Sequence, residues 1–151
     1  MLHILRGNIL LQKGLIVQGC NTLGMMGSGL ALDVRKTYPK AFTVYKEYFD
    51  KNGLSLGLVI PVKVAEDVII VNGMTQATVK SDPNDKRVHV NYEALRTVFE
   101  KVVMLAKKHQ MPIHFPKIGA GLANGDWDII WGIIADVVPN EIQAYYWDYV
   151  K

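Results

Sequence analysis

A glycine-rich stretch near the start of the chain constrains its fold more than any other feature: Gly19-Cys20-Asn21-Thr22-Leu23-Gly24-Met25-Met26-Gly27-Ser28-Gly29-Leu30-Ala31. It follows the apolar run Leu15-Ile16-Val17, which reads as a buried strand, and leads into residues 30–37, which read as a helix. Glycine tolerates backbone angles that other residues avoid, so consecutive N–H groups can turn toward one point. A helix start adds unpaired N–H donors and a partial positive charge. Strand, glycine loop and helix start together form a cradle for an anion, and phosphate is the usual guest. A single such loop is as often a plain turn. Here the pattern occurs twice. Ile113-His114-Phe115-Pro116 reads as a second buried strand, followed by Lys117-Ile118-Gly119-Ala120-Gly121-Leu122-Ala123-Asn124-Gly125 and a helix from Asp126. Two such loops at neighbouring strand ends would grip a diphosphate from both sides.

The rest of the chain supplies the frame. Its 151 residues make one domain, 1–151, by length. Strands are expected over 2–5, 15–17, 57–64, 67–71, 113–116 and 142–147, and helices over 30–37, 41–51, 91–109 and from 126 to the break at Pro139-Asn140. Tyr38, Phe42, Tyr45 and Phe49 recur at spacings of three and four, a core-facing stripe. Residues 72–90 are polar and read as a long connection, functional or mobile. The alternation of strands and helices argues an α/β fold with a mixed sheet between helix layers. Ligands of such sheets sit beyond the carboxyl ends of strands, where both glycine loops fall.

Several function classes drop out. A net charge of +3 fits an anionic ligand but is no footprint for specific nucleic-acid binding. No apolar run is long enough to cross a membrane. His3, Arg6 and Asn8 interrupt any signal-type segment, and Cys20 is the only cysteine, so a reducing, cytoplasmic setting is expected and an internal disulfide is excluded. No zinc-type spacing or Ser-His-Asp constellation is evident, and neither metal nor cofactor is expected. No glycine loop ends in Gly-Lys-Ser or Gly-Lys-Thr, and Gly24-x-x-Gly27-x-Gly29 inverts the dinucleotide fingerprint, which disfavours a P-loop NTPase and a dinucleotide oxidoreductase.

Taken in order, Gly7-Asn8-Ile9, then Cys20-Asn21 with Gly27-Ser28-Gly29-Leu30-Ala31, then Pro116-Lys117-Ile118-Gly119-Ala120-Gly121-Leu122 resemble a macrodomain. The branch resembled is that of the phage and yeast ADP-ribose 1″-phosphate phosphatases and the related terminal ADP-ribose glycohydrolases. Residues 35–48, with Tyr38-Pro39 and Tyr45, and Asn91-Tyr92-Glu93-Ala94-Leu95 are similar to that branch too. The resemblance runs over residues 2–146. It implies a three-layer α/β/α sandwich with a mixed central sheet that binds ADP-ribose. It implies that Asn8 and Ile9, next to Gly7, meet the adenine. Phosphates would lie between Gly27-Ser28-Gly29 and Gly119-Ala120-Gly121, within loops that also hold Gly19, Cys20, Met26, Leu30, Pro116, Lys117, Ile118 and Leu122. Asn21 would reach the distal ribose, and Tyr146 and Trp147 would wall the adenine. Most macrodomains carry an aspartate where Asn8 stands. An asparagine still accepts through its amide oxygen, without charge, and its plain reading is a turn residue.

The chemistry is less legible. The glycohydrolase branch uses a lysine just after the strand matching 68–71 and an aspartate in the second loop; this chain has Asn72-Gly73-Met74 and Ala123. The yeast phosphatase carries a histidine ahead of the first glycine loop, where Gln18 stands here. What remains is positioning: Asn21, Ser28 and the loop amides would orient a water and stabilise charge on a terminal phosphate. His114 reads as a core residue, Cys20 as a small buried side chain, and His89, Asp82 and Asp85 as solvated loop residues. The expected activity is slow removal of phosphate from ADP-ribose 1″-phosphate. The alternative is a non-catalytic module for free ADP-ribose or for ADP-ribosylated protein.

Overall fold

In the computed structural model, which describes residues 1–151, the chain runs β1 (Leu2–Gly7), a 3-10 turn (Ile9–Leu11), β2 (Gly14–Asn21), α1 (Gly29–Thr37), α2 (Pro39–Asn52), β3 (Val59–Ala65), β4 (Val68–Gln76), α3 (Tyr92–His109), β5 (Ile113–Phe115), α4 (Trp127–Val137) and β6 (Ala144–Tyr149). The strands form one sheet in the order β1-β6-β5-β2-β4-β3. Every neighbouring pair is parallel except β3 on β4, at the edge. Helices α1 and α2 cover one face, and α3 and α4 the other. This is the three-layer α/β/α sandwich with a mixed sheet that the sequence pattern and the resemblance both imply.

Strand β2 shows why the apolar runs become central strands. Leu15 and Val17 point into the larger core with Leu95, Phe99 and Phe115, while Ile16 points into the opposite core with Ile9, Val34 and Ile70. A strand covered on both faces has no polar side to show, so it reads as a continuous apolar run. Each fully buried side chain of this size contributes about 1.5–3 kcal/mol. Helix boundaries follow local chemistry. Pro39 opens α2, and Gly53, with φ +70°, ends it. Asn91 caps α3 by accepting from the Ala94 N–H, and Asp126 caps α4 by accepting from the Asp128 N–H.

Two strands run further than the sequence pattern suggests, and this moves the boundary of the site. Strand β2 continues to Asn21 and β4 to Gln76, paired in register as Gln18 with Asn72, Gly19 with Gly73 and Cys20 with Met74. Residues 72–76 therefore belong to the sheet and not to the long connection. Their polar side chains disguise this. The Gln18 Nε2 group donates to Asn72 Oδ1 at 2.8 Å, and Asn72 Nδ2 donates to the Ala41 carbonyl at 3.1 Å. A buried amide that is hydrogen-bonded in this way costs little, so the strand need not be apolar to be buried. The first glycine loop proper is thus residues 22–28. It follows β2, the second glycine loop follows β5, and β2 and β5 are direct neighbours.

Candidate functional site

Beyond the carboxyl ends of β2, β4, β5 and β6 lies a cleft of about 890 Å³, lined by residues 18–21, 25–31, 116–119, 121–123 and 146–149, with 76, 79, 80, 82 and 83 from the long connection. Its two walls are the glycine loops. On the first wall, the N–H groups of Gly27, Ser28, Gly29 and Leu30 make no hydrogen bond within the protein, and the first helical bond of α1 comes later, from Leu32 N to the Ser28 carbonyl at 3.4 Å. On the second wall, the N–H groups of Gly119, Gly121 and Leu122 are likewise free, while Gly125 N closes the loop on the Gly119 carbonyl at 2.8 Å. Gly119 sits at φ +80° and Gly29 at +61°, backbone states that favour glycine. Free amides flank the cleft on both sides, with the N-terminus of α1 behind one set. Lys80 and Lys117 add positive charge at the lining, and Asp82 and Asp148 are the carboxylates there.

Asn21 organises the first wall. Its Oδ1 accepts from Leu23 N at 3.0 Å and Met25 N at 3.2 Å, and its Nδ2 donates to the Met25 carbonyl at 2.9 Å. The buried Tyr45 hydroxyl reaches the Asn21 carbonyl at 2.7 Å and its Oδ1 at 2.9 Å. The aromatic stripe of α2 thus does more than pack: it anchors the glycine loop. Tyr45→Phe is expected to lower stability by about 1 kcal/mol, in line with one lost buried hydrogen bond, read by urea denaturation. Ser28 occupies the N-cap of α1, yet its hydroxyl makes no capping bond and stays exposed at the cleft.

The remaining expected residues divide. Gly19, Cys20, Met26, Gly27, Gly29, Leu30, Pro116, Lys117, Ile118, Gly119, Gly121, Leu122, Tyr146 and Trp147 all line the cleft. Gly7, Asn8, Ile9 and Ala120 do not. Ile9 is completely buried beneath α1, and Asn8 spends its amide oxygen on Leu10 N at 2.9 Å, capping the 3-10 turn. Cys20 is buried, and burial pushes its thiol up to about 12, which leaves it protonated and unreactive at neutral pH. Gln18, on the floor, has a buried Oε1 with no hydrogen-bond partner.

The long connection departs most from expectation. Asp85 and His89, expected as solvated loop residues, have side chains only 2% and 1% exposed. The Asp85 carboxylate accepts from Ser81 N and Oγ, from Arg87 N, Nε and Nη2, and from His89 Nε2 at 3.0 Å. The opposite nitrogen of His89 meets Thr78 Oγ1 at 2.6 Å. Asn124 of the second glycine loop donates to the Asp85 and Arg87 carbonyls at 2.8 and 2.9 Å, and His89 N to the Ala123 carbonyl at 2.7 Å. This polar knot clasps the connection to the second wall and brings Val79, Lys80, Asp82 and Pro83 to the cleft rim. No periodic pattern announces it, because each residue pairs with another in a loop. Tyr149 is a second cleft residue that sequence reasoning does not single out. It extends the alternation of Tyr145 and Trp147 by one step along β6, and its hydroxyl donates to Asp33 Oδ2 at 2.9 Å.

Residues 17–134 match the family model described as Macro domain. The chain belongs to the Macro domain family. Among curated relatives of this macrodomain, the ADP-ribose 1″-phosphate phosphatase of Candida albicans is 26% identical over 121 residues, covering 78% of this chain and 77% of the relative. An uncharacterized 17.5 kDa protein of Enterobacteria phage T4, from the tk-vs intergenic region, is 30% identical over 148 residues, covering 85% and 81%. A solved macrodomain protein from Streptomyces coelicolor superposes with a TM-score of 0.84 at 28% identity, covering 99% of this chain and 100% of that one. No helix of the macrodomain is long and apolar enough to cross a membrane.

Proposed function

We propose that the whole chain acts as one cytoplasmic macrodomain whose cleft binds ADP-ribose, and that it slowly hydrolyses ADP-ribose 1″-phosphate to ADP-ribose and phosphate. The observation that carries the reading is the pair of facing loops with unpaired N–H groups at the ends of the adjacent strands β2 and β5. Each N–H to a charged oxygen is worth roughly 1.5–3 kcal/mol. A few such bonds support micromolar binding, about −8 kcal/mol, after association costs. The relatives named as ADP-ribose 1″-phosphate phosphatases support the choice of substrate.

In this reading the amides of Gly27-Ser28-Gly29 and those of Gly119 and Gly121 hold the pyrophosphate, Lys80 and Lys117 offset its charge, and Tyr146 and Trp147 flank the base. Asn21 acts by holding the shape of loop 22–28. Ser28, whose hydroxyl caps nothing, orients the attacking water against the terminal phosphate. The hydroxyl is no base at neutral pH, so turnover is slow. The protein is expected to release phosphate from ADP-ribose 1″-phosphate in a single-turnover assay, with Ser28→Ala slower by roughly tenfold, less than a true general acid or base contributes. Release equal to that of a buffer blank would end the enzymatic reading.

A second reading, a non-catalytic binder of free or protein-linked ADP-ribose, is favoured by one specific observation. The only thiol at the cleft is held protonated, and an amide, Gln18, occupies its floor. Calorimetric binding of ADP-ribose without phosphate release would select it.

A further inference from the structure

Trp147 bounds two cavities at once. It lines the main cleft on one side and, on the other, a cavity of about 530 Å³ shared with Leu5, Leu11, Pro112 and Tyr145. Its indole N–H donates to His114 Nδ1 at 2.9 Å. The opposite nitrogen of that imidazole, Nε2, lies 2.8 Å from the Lys13 carbonyl. A carbonyl only accepts, so Nε2 carries the proton and Nδ1 is left bare to accept from the indole. The tautomer is dictated by the fold. His114 is 5% exposed, and its ring stacks on Tyr145 at 5.2 Å, which in turn stacks on His3 at 4.7 Å. On its other flank Trp147 touches Gly7, where a Cβ would come within 3.2 Å of the ring. The indole is thus wedged by packing and aimed by one acceptor.

We propose that His114 is a positioning residue for the cleft: in its neutral form it sets Trp147 as the aromatic wall against bound ADP-ribose, and uptake of a proton at Nδ1 removes the acceptor, frees the indole and weakens binding. The proposal rests on the ADP-ribose reading for its ligand, but not for the His114–Trp147 coupling. The groups that face His114 leave it the deciding titration. Tyr145 faces it from β6, and His3 lies beyond that ring on β1. Lys13 presents its carbonyl and turns its ammonium toward Asp67. Around Trp147, Asp148 is paired with Arg6, and Asp33 with Tyr149 and Lys151. None of the hydrogen bonds of His114 is to a carboxylate. Burial pushes this imidazole below its ordinary 6.5, so the indole bond is intact at neutral pH and is lost only on the acid side.

The test follows the indole directly. In ¹⁵N-labelled protein, the Trp147 Nε1–H resonance is identified by its disappearance in Trp147→Phe. It is expected to be protected from solvent exchange at pH 7.5 and to shift and lose protection as the pH falls toward 5. His114→Asn, which places an amide oxygen near the site of Nδ1, keeps the bond and removes the pH response. His114→Phe, which keeps the stack on Tyr145, shows the unprotected signal at every pH. ADP-ribose affinity, measured by calorimetry over the same range, is expected to fall roughly fivefold to tenfold in the wild type, as for one hydrogen bond lost, and to stay flat in His114→Asn. An indole resonance indifferent to both pH and His114→Phe overturns the proposal, as does a resonance that moves while affinity stays constant. If ADP-ribose fails to bind at any pH, the functional reading falls, and the indole resonance still decides the coupling.

Discussion

Gly121→Glu is expected to weaken ADP-ribose binding severely and to leave the fold intact. The space that a Cβ would take at Gly121 is empty to 4 Å, and the backbone φ lies outside the range that favours glycine. The residue lines the second wall of the cleft, and its N–H is one of the free donors. A side chain there is accommodated at the edge of the cleft that the residue lines. A glutamate brings a negative charge into the amide nest, competes for its donors and repels the phosphates; like-charge juxtaposition of this kind costs several kcal/mol. Affinity is expected to fall at least about 100-fold, since each tenfold corresponds to about 1.4 kcal/mol, while the melting temperature moves by no more than about 3 °C. Gly27, also open to 4 Å, offers the same test from the opposite wall. Gly125 is the contrast. There a Cβ would drive into the Gly119 carbonyl and Val90, so Gly125→Ala damages the loop itself. Undiminished binding by Gly121→Glu in calorimetry would place the ligand elsewhere.

Asp85→Asn is expected to loosen the connection that rims the cleft. The carboxylate is the hub of the knot that joins Ser81, Arg87 and His89, and through the backbone it reaches Asn124. Asparagine fills the space but offers one acceptor oxygen and an N–H₂ group where donors already converge. The Asp85 carboxylate is buried while Arg87 is largely exposed; removing the charge to which these donors point is destabilising, and for a chain of this size the melting temperature is expected to fall by about 5–10 °C. Lys80, Asp82 and Pro83 then leave the rim, so affinity drops as well. The pH dependence gives an independent check. Arg87, first among the groups around it, holds the Asp85 carboxyl well below its ordinary 3.8. The unfolded chain therefore binds this proton at higher pH than the folded one. The contribution to stability is full above about pH 3.8 and is lost as acid titrates the folded carboxyl. Thermal melts from pH 7 down to 2 should show a steeper acid loss in the wild type than in Asp85→Asn. Equal slopes would remove Asp85 from that role.

Much of this molecule is written locally. The apolar run 15–17, the repeated strand–glycine–helix order and the helix start at Asp126 depend on neighbours in sequence, and their consequences hold in the fold. Backbone propensity and capping act over a few residues, so a linear reading captures them. The architecture and the two glycine walls of the cleft follow from these signals. Three features do not. Gln18 and Asn72 are buried in the sheet because they find each other across 54 residues. Asp85 and His89 are buried because Arg87, Thr78 and the loop around Asn124 close over them. Trp147 is tied in place because His114, on a neighbouring strand, accepts from its indole through Nδ1 while Nε2–H is held by the carbonyl of Lys13. A polar residue is cheap to bury only when its partner is in place, and that partner is supplied by the folded chain. Sequence periodicity registers where apolar groups must go; which polar groups may join them is settled only once distant strands and loops have met.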